Sequence, residues 1–301
     1  FTELFDGTKA LSWEDYIGRD DEFPVSGHSI KRTLFSVPDC QKIIKKAICS
    51  RLGEKYSLER LPETATKYKI EFFIFKDRAN LMIDLSGTPL HKRGYRPETV
   101  DAPIMVKLAR PREDVLLWDP FCGSGTIAIE AAMMMKNIAP GMKRAFISED
   151  YPWIPSDSWK IARERAEDSV IRTSSFEAYA TDIDDGCVEI ASAAAKRAGV
   201  DDRVNIFKMD ALDIDTLGRR GTVVTNPPYG ERLLTPTETE ELYRAMGEAF
   251  ARLGKWQIYV ITPREDFPKL FGRRADKIRK LYNGMIPCYY YQYFKNHDKT
   301  E

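Results

Sequence analysis

Residues 222–230 read Thr-Val-Val-Thr-Asn-Pro-Pro-Tyr-Gly, an apolar run leading straight into Asn226-Pro227-Pro228-Tyr229. The atoms of this tetrapeptide suit one task, holding a planar amino group beside an electrophile. Asn226 offers a side-chain carbonyl acceptor, and Pro227 offers a backbone carbonyl while lacking an N–H of its own. Two acceptors converging on an aromatic NH2 would fix both its hydrogens and aim the nitrogen lone pair out of the ring plane. Tyr229, following Pro228, supplies a flat face on which a base can stack. The same residues also suit a tight turn after a buried strand, for which Asn and Pro are ordinary choices. A second motif about a hundred residues earlier separates the two readings.

That motif is Leu116-Leu117-Trp118-Asp119-Pro120-Phe121-Cys122-Gly123-Ser124-Gly125-Thr126-Ile127-Ala128, a strand, a glycine-rich turn and a helix start. Gly123 and Gly125 permit positive φ and let a ligand approach the backbone. The fragment fits the dinucleotide fingerprint G-x-G-x-x-A, but two details oppose a nicotinamide cofactor. A carboxylate at Asp119 would repel a pyrophosphate yet suits the cationic amino acid part of S-adenosylmethionine. The next acidic strand end, Asp182, lies much further on than the roughly 20 residues of a dinucleotide fold. In Thr181-Asp182-Ile183, Asp182 can accept from both hydroxyls of a ribose. Asp210, before Ala211, can accept from an adenine amino group. Any one such aspartate could simply cap the following helix. Asp119, Asp182 and Asp210 ending three successive strands, with Asn226 ending a fourth, argue for one ligand site at the carboxyl edge of a sheet. Nothing near Cys122 in the sequence would activate its thiol, so it reads as packing.

The elements that must position these residues follow from periodicity. Beyond about residue 113, strands expected at 115–121, 177–183, 204–209, 222–226 and 256–262 alternate with helices such as 125–135, 187–198 and 238–253. An antiparallel pair, 277–281 and 288–294, closes the set. Apolar strands interleaved with helices predict an α/β fold with a doubly wound, mostly parallel sheet. Before it, residues 37–56 carry Val37, Ile43, Ile44, Ala47, Ile48 and Leu52 at helical spacing. Residues 68–75 and 79–85 predict a hairpin joined by Lys76-Asp77-Arg78. The expected division is a small α+β unit over 1–97, a linker over 98–112 and the α/β domain over 113–301.

The chain has 301 residues, 43% hydrophobic and 31% charged, the balance of a globular protein of two domains. No apolar run is long enough for a membrane span and no signal-peptide pattern opens the sequence, so a cytoplasmic location with no membrane partner is expected. Five cysteines without a C-x-x-C pair and three scattered histidines predict reduced thiols and no metal site. Net charge is zero, but residues 31–55 gather Lys31, Arg32, Lys42, Lys45, Lys46, Arg51 and Lys55 against Asp39 and Glu54. His91-Lys92-Arg93-Gly94-Tyr95-Arg96 is a second basic stretch with an aromatic inside it. Such runs are often solvated faces; a nucleic-acid backbone is the functional alternative. Monomer and homodimer both stay open.

With both motifs in hand, the chain resembles class I S-adenosylmethionine-dependent RNA methyltransferases of the THUMP-containing group, most of all bacterial enzymes that make N2-methylguanine in large-subunit (23S-type) ribosomal RNA. The resemblance covers nearly the whole chain. It rests on Asp119–Thr126 followed by Ile129-Glu130-Ala131-Ala132, and on Asn137-Ile138-Ala139-Pro140-Gly141 with Trp153 and Trp159, which matches an insertion between the first two strands of the sheet. It rests also on Asn226-Pro227-Pro228-Tyr229-Gly230-Glu231-Arg232, and on Phe35–Gln41 and Leu90–Arg96, which are similar to a THUMP domain and its exit. The tetrapeptide alone is shared with DNA adenine methylases and protein glutamine methylases.

The resemblance implies a Rossmann-like, mostly parallel seven-stranded sheet with an antiparallel last strand, preceded by a THUMP-type RNA-binding domain that the chain enters part-way. It also implies a shortened segment before the cofactor strand. The implied reaction is direct displacement of the sulfonium methyl by guanine N2, with Asn226, Pro227, Pro228 and Tyr229 catalytic. The cofactor would touch Asp119, Pro120, Phe121, Cys122, Gly123, Ser124, Gly125, Thr126, Asp182, Ile183, Asp210, Ala211 and Asn226. RNA would touch Lys42, Lys45, Lys46, His91, Lys92, Arg93, Tyr95, Arg96 and Arg232. Transfer-RNA guanine methylation is the nearest alternative; DNA adenine methylation and a non-catalytic RNA-binding protein are more distant ones.

Overall fold

The computed structural model describes residues 1–30, 36–90, 92–93, 95, 102–229, 235–283 and 286–294, with the backbone alone for 283. In chain order its elements are α1 (Thr2–Lys9), β1 (Val25–Ile30), α2 (Val37–Tyr56), β2 (Ile70–Phe75), β3 (Arg78–Ile83), α3 (Ala102–Ala109), β4 (Leu116–Asp119), α4 (Thr126–Met135), α5 (Ser158–Asp168) and β5 (Ala178–Asp182). Then come α6 (Asp185–Ala198), β6 (Val204–Lys208), β7 (Gly221–Thr225), α7 (Pro236–Ala251), β8 (Gln257–Thr262), α8 (Phe267–Leu270), β9 (Lys277–Asn283) and β10 (Ile286–Tyr293). The chain forms two compact units, residues 1–90 with 144–163, and residues 91–143 with 164–301.

In the first unit β1 runs parallel to β2, and β2 pairs antiparallel with β3. A parallel pair needs a crossover, and α2 supplies it. Its Ser36 side chain accepts from the Asp39 N–H at 3.3 Å, and Pro38 sits in the first turn, where a missing N–H costs nothing. Cys40, Ile44, Ala47, Ile48 and Leu52 recur at helical spacing and are all buried. The β2–β3 hairpin has a two-residue turn, Lys76-Asp77, both at positive φ (48° and 58°). That is the tight turn whose twist matches the strands, so Arg78, expected in the loop, begins β3. Segment 144–163 completes this unit. Tyr151 stacks on Tyr68 at 4.5 Å and its hydroxyl donates to the Asp84 carbonyl at 2.7 Å. The Arg144 guanidinium donates to the carbonyls of Ser86, Thr88 and Pro89.

The second unit is a seven-stranded sheet of order β6-β5-β4-β7-β8-β10-β9. Strands β6, β5, β4, β7 and β8 pair in parallel, and β10 is antiparallel to both its neighbours, β8 and β9. This is the Rossmann-like sheet with an antiparallel last strand. Strand β7 is buried along its whole length, as both faces of a doubly wound sheet require. One face packs α3, α4 and α6; the other packs α7 and α8 around Trp118, Phe250 and Trp256. The strands expected at 115–121 and 222–226 stop at Asp119 and Thr225, because Pro120 and Pro227 follow closely and cannot donate to a ladder.

The stretch expected to be a linker, 98–112, contains α3. Ala102, Met105, Val106 and Ala109 fall one, three and four residues apart and are buried against the sheet's first face. Eight residues with a proline at the second position make a weak helical signal, and packing supplies what propensity lacks.

Candidate active site

Strand order reverses between β4 and β7: β5 and β6 extend the sheet on one side, β8 on the other. Ligands of open α/β sheets bind at that switch, outside the carboxyl ends of the strands. The register Trp118↔Val223 brings Asp119 and Thr225 to this edge together. The Thr225 hydroxyl donates to Asp119 Oδ1 at 2.7 Å, and the Phe121 N–H donates to the same oxygen at 3.3 Å. No described residue donates to Oδ2. Asp119 is only 1% exposed. Burial pushes its carboxyl up to about 7, against the two hydrogen bonds that favour the charged form, with the nearby Asp182 charge adding to the rise.

The loop after β4 is held by its neighbours. The Cys122 N–H donates to the Thr181 carbonyl at 2.9 Å, the Gly123 N–H to Asp182 Oδ2 at 2.9 Å, and the Gly125 N–H to the Cys122 carbonyl at 2.8 Å. Gly123, at φ +50°, has open space where a Cβ would be, a concavity into which a ligand can press. Gly125, at φ +73°, has none: a Cβ there would lie 2.9 Å from the Ala191 Cβ of α6. We expect Gly125→Ala to cost roughly 1–3 kcal/mol in urea unfolding, through strain and this contact together. An unchanged midpoint would contradict the tight loop–helix approach. Thr126 opens α4 with its hydroxyl 3.0 Å from that of Ser124, and Pro120 is buried beneath the loop. Burial raises the Cys122 thiol well above its usual range, so it stays neutral, as its reading as packing required.

Asp182 ends β5, Asp210 follows the end of β6 by two residues, and each also turns the chain. Asp182 Oδ1 accepts the Asp184 N–H at 3.1 Å, and Asp210 Oδ1 accepts the Leu212 N–H at 2.9 Å. An ionised carboxylate has about four lone-pair sites, so both retain capacity for a ligand. Beside them Ala211 is buried, whereas Ile183 stands 65% exposed, an apolar side chain without cover.

Asn226 follows β7 directly. Its Oδ1 is buried from solvent and has no hydrogen-bond partner among the described residues. A buried acceptor left unpaired costs about 1–3 kcal/mol. Pro227 is buried, and Pro228 and Tyr229 are half-buried. The Tyr243 hydroxyl of α7 lies 2.9 Å from the Thr262 hydroxyl and 3.4 Å from the Pro228 carbonyl, bracing the far end of the loop. Sequence reasoning missed both Thr225 and Tyr243. For Thr225 a faint signal existed, a hydroxyl residue inside an otherwise apolar strand and next to Asn226.

The residues expected to meet RNA divide. Lys42 and Lys46 are exposed on α2, and Lys92 is exposed. Lys45 is half-buried; its ammonium donates to Glu63 at 2.7 Å and to the Phe23 carbonyl at 3.0 Å, and sits 3.5 Å from the Phe23 ring centroid. Tyr95, expected among the residues that touch RNA, is buried in the second unit, where its hydroxyl donates to Glu130 at 2.5 Å. Arg93 Nε lies 3.1 Å from the same carboxylate. These two side chains anchor the stretch to α4, because buried Glu130 requires partners for its charge. His91, Arg96 and Arg232 lie outside the described residues, as do Gly230 and Glu231. Among the described residues no cluster of His, Cys, Asp or Glu could hold a metal, all five cysteines are free, and no helix is long and apolar enough to cross a membrane.

Asp119 with an oxygen uncommitted among the described residues, the open space at Gly123, the spare acceptors of Asp182 and Asp210, and uncovered Ile183 fit the ammonium, the rest of the amino acid part, the ribose and the adenine of S-adenosylmethionine. Sheet order and site together define a class I methyltransferase. The RMKL-like methyltransferase domain model matches residues 93–292 and the THUMP domain model residues 1–84, so the chain belongs to the THUMP-containing, RMKL-like family of S-adenosylmethionine-dependent methyltransferases.

Among relatives, it is 45% identical to the "Putative RNA methyltransferase YpsC" of Bacillus subtilis, over 98% of this chain and 79% of that one. It is 31% identical to "Ribosomal RNA large subunit methyltransferase K/L" of Shewanella pealeana, over 99% of this chain but 44% of that protein, less than half its length. Three solved structures are also similar. A possible methylase from Clostridium difficile has a TM-score of 0.93 at 42% identity, over 97% of this chain and 79% of that one. A predicted N6-adenine-specific DNA methylase from Listeria monocytogenes has 0.88 at 45%, over 97% and 78%. SMU.472, a putative methyltransferase complexed with SAH, has 0.88 at 39%, over 99% and 81%.

Proposed function

We propose that the protein methylates the exocyclic N2 amine of a guanine in RNA, with large-subunit ribosomal RNA as the substrate. The single observation that carries this reading is the buried Oδ1 of Asn226, without a partner among the described residues, at the strand end beside Asp119. A buried acceptor of this kind awaits a donor, and an aromatic amine supplies one. The THUMP match, and relatives whose names specify RNA and large-subunit ribosomal RNA, support the polymer. Exposed Lys42, Lys46 and Lys92 suit a phosphate backbone, which positions without specifying sequence. His91, Arg96 and Arg232 keep that role as an expectation from sequence.

Asp119 would hold the cofactor's ammonium group, Asp182 its ribose and Asp210, with Ile183 and Ala211, its adenine. Bound S-adenosylmethionine supplies an electrophilic methyl on a sulfonium, so that no covalent enzyme intermediate is required. The protein contributes alignment and exclusion of water. Asn226 Oδ1 and the Pro227 carbonyl accept the two amine hydrogens, aim the lone pair at the methyl carbon, and stabilise the positive charge that develops on nitrogen. The proton then lost from nitrogen leaves to solvent, and Tyr229 holds the ring. A base inside a helix cannot reach such a pocket, so the target is flipped out or unpaired.

Adenine N6 presents a similar amine, and the Listeria relative is named for that chemistry on DNA. Transfer of labelled methyl to total RNA from a strain lacking the gene, followed by digestion to nucleosides, tests the choice. We expect label in N2-methylguanosine of large-subunit RNA. Label in N6-methyladenine would exclude guanine, and label in transfer RNA would move the substrate.

A further inference from the structure

We propose that Thr225 is a positioning residue for methyl transfer, whose hydroxyl holds Asp119 by Oδ1, leaves Oδ2 for the cofactor's ammonium group, and ties that carboxylate to the strand end carrying Asn226. The inference rests on the reading of Asp119 as the ammonium site. Thr225 is fully buried, and its Oγ1 lies 2.7 Å from Asp119 Oδ1, the length of a charge-assisted hydrogen bond. A threonine has one O–H to give, and here it goes to the carboxylate. Its neighbours Val223 and Val224 show what the strand's packing otherwise selects. A buried hydroxyl is disfavoured there against an isosteric methyl unless its hydrogen bond is used.

The surroundings of Asp119 leave the hydroxyl this role. The nearby titratable groups are Asp182 at the end of β5, whose charge repels it, and the neutral Cys122 thiol in the loop. No described cation pairs with Asp119. Its two protein donors, Thr225 and the Phe121 N–H, both reach Oδ1. Together they turn the carboxylate and favour its charged form, which an ammonium ligand needs. Thr225 also immediately precedes Asn226. A carboxylate drawn toward a bound ammonium therefore pulls on the residue that sets the amine acceptor. Filling the donor site and setting the acceptor site become linked events, reciprocal in binding free energy.

Thr225→Val and Thr225→Ser, compared by calorimetry between pH 6 and 8.5, test the inference. Two probes are needed, S-adenosylhomocysteine and 5′-methylthioadenosine, which lacks the amino acid part. For Thr225→Val we expect S-adenosylhomocysteine affinity near pH 7 to fall roughly tenfold or more, the loss of a charged hydrogen bond. Its pH profile should shift upward, 5′-methylthioadenosine binding should stay within about twofold, and Thr225→Ser should restore both affinity and profile. An equal fall for both probes marks a merely structural role and overturns the proposal, as does unchanged S-adenosylhomocysteine binding in Thr225→Val. If Thr225→Val fails to fold, Thr225→Cys, with a weak donor of similar size, is read in the same way. Failure of the parent reading looks different: Asp119→Asn would then weaken the two probes equally.

Discussion

Asn226→Ala is expected to lose roughly 100- to 1,000-fold in kcat, the scale seen when one preorganised acceptor or donor of a reacting group is removed. Affinity for S-adenosylhomocysteine should change little, because the amine acceptor works on the substrate. The fold should hold, and stability should even rise slightly, because a buried oxygen without a partner among the described residues is removed. Asn226→Asp separates two parts of the role. It keeps an acceptor oxygen at the same place but carries a charge, so turnover should fall less than in Asn226→Ala if the oxygen itself holds the amine. Single-turnover methyl transfer with saturating cofactor is the measurement. Near-normal turnover in Asn226→Ala would end the role given to that side chain, whichever base is methylated.

The candidate site was legible in the sequence wherever a strand end carries its own chemistry. Asp119, Asp182, Asp210 and Asn226 each follow an apolar run, and parallel strands deliver their carboxyl ends to one edge, so the sheet assembles what the local pattern names. Helix α2 was legible for a similar reason, since its apolar stripe is periodic over twenty residues. The harder features depend on partners distant in sequence. The Thr225–Asp119 bond spans 106 residues, and no local pattern encodes it. Tyr95 sits in a basic stretch that reads as a solvent face, yet Glu130, 35 residues on, draws its hydroxyl inward. Segment 144–163 follows α4 in sequence but packs into the first unit through Tyr151, a placement that periodicity alone does not predict. The short helix α3 has too few turns to declare itself before packing.

Asp119→Asn should make the protein more stable and a worse methyltransferase. The folded-state value of about 7 lies above the 3.8 of an ordinary aspartate, so the native state holds its proton more tightly than the unfolded chain. Any stability tied to that proton is complete below about pH 4. It is lost as pH rises toward 7, because the unfolded chain has ionised while burial resists ionisation in the fold. Above pH 7 the deficit is constant, on the order of 4 kcal/mol as an upper bound. Asparagine has the same shape, still accepts from Thr225 and Phe121, and carries no charge. Thermal melts without cofactor should therefore show Asp119→Asn matching the native protein near pH 4 and exceeding it at pH 8. Binding should run the opposite way. The ionised carboxylate is what an ammonium group pays for with its own desolvation, so S-adenosylhomocysteine affinity should fall on the order of 100-fold in the variant. In the native protein, affinity should weaken as pH drops below about 7, with proton release on binding in that range. Calorimetry in buffers of different ionisation enthalpy counts those protons. A variant that is no more stable at pH 8, or native binding indifferent to pH between 6 and 8, would show that Asp119 ionises at little cost; S-adenosylhomocysteine affinity unchanged in the variant would show that it does not hold the ammonium.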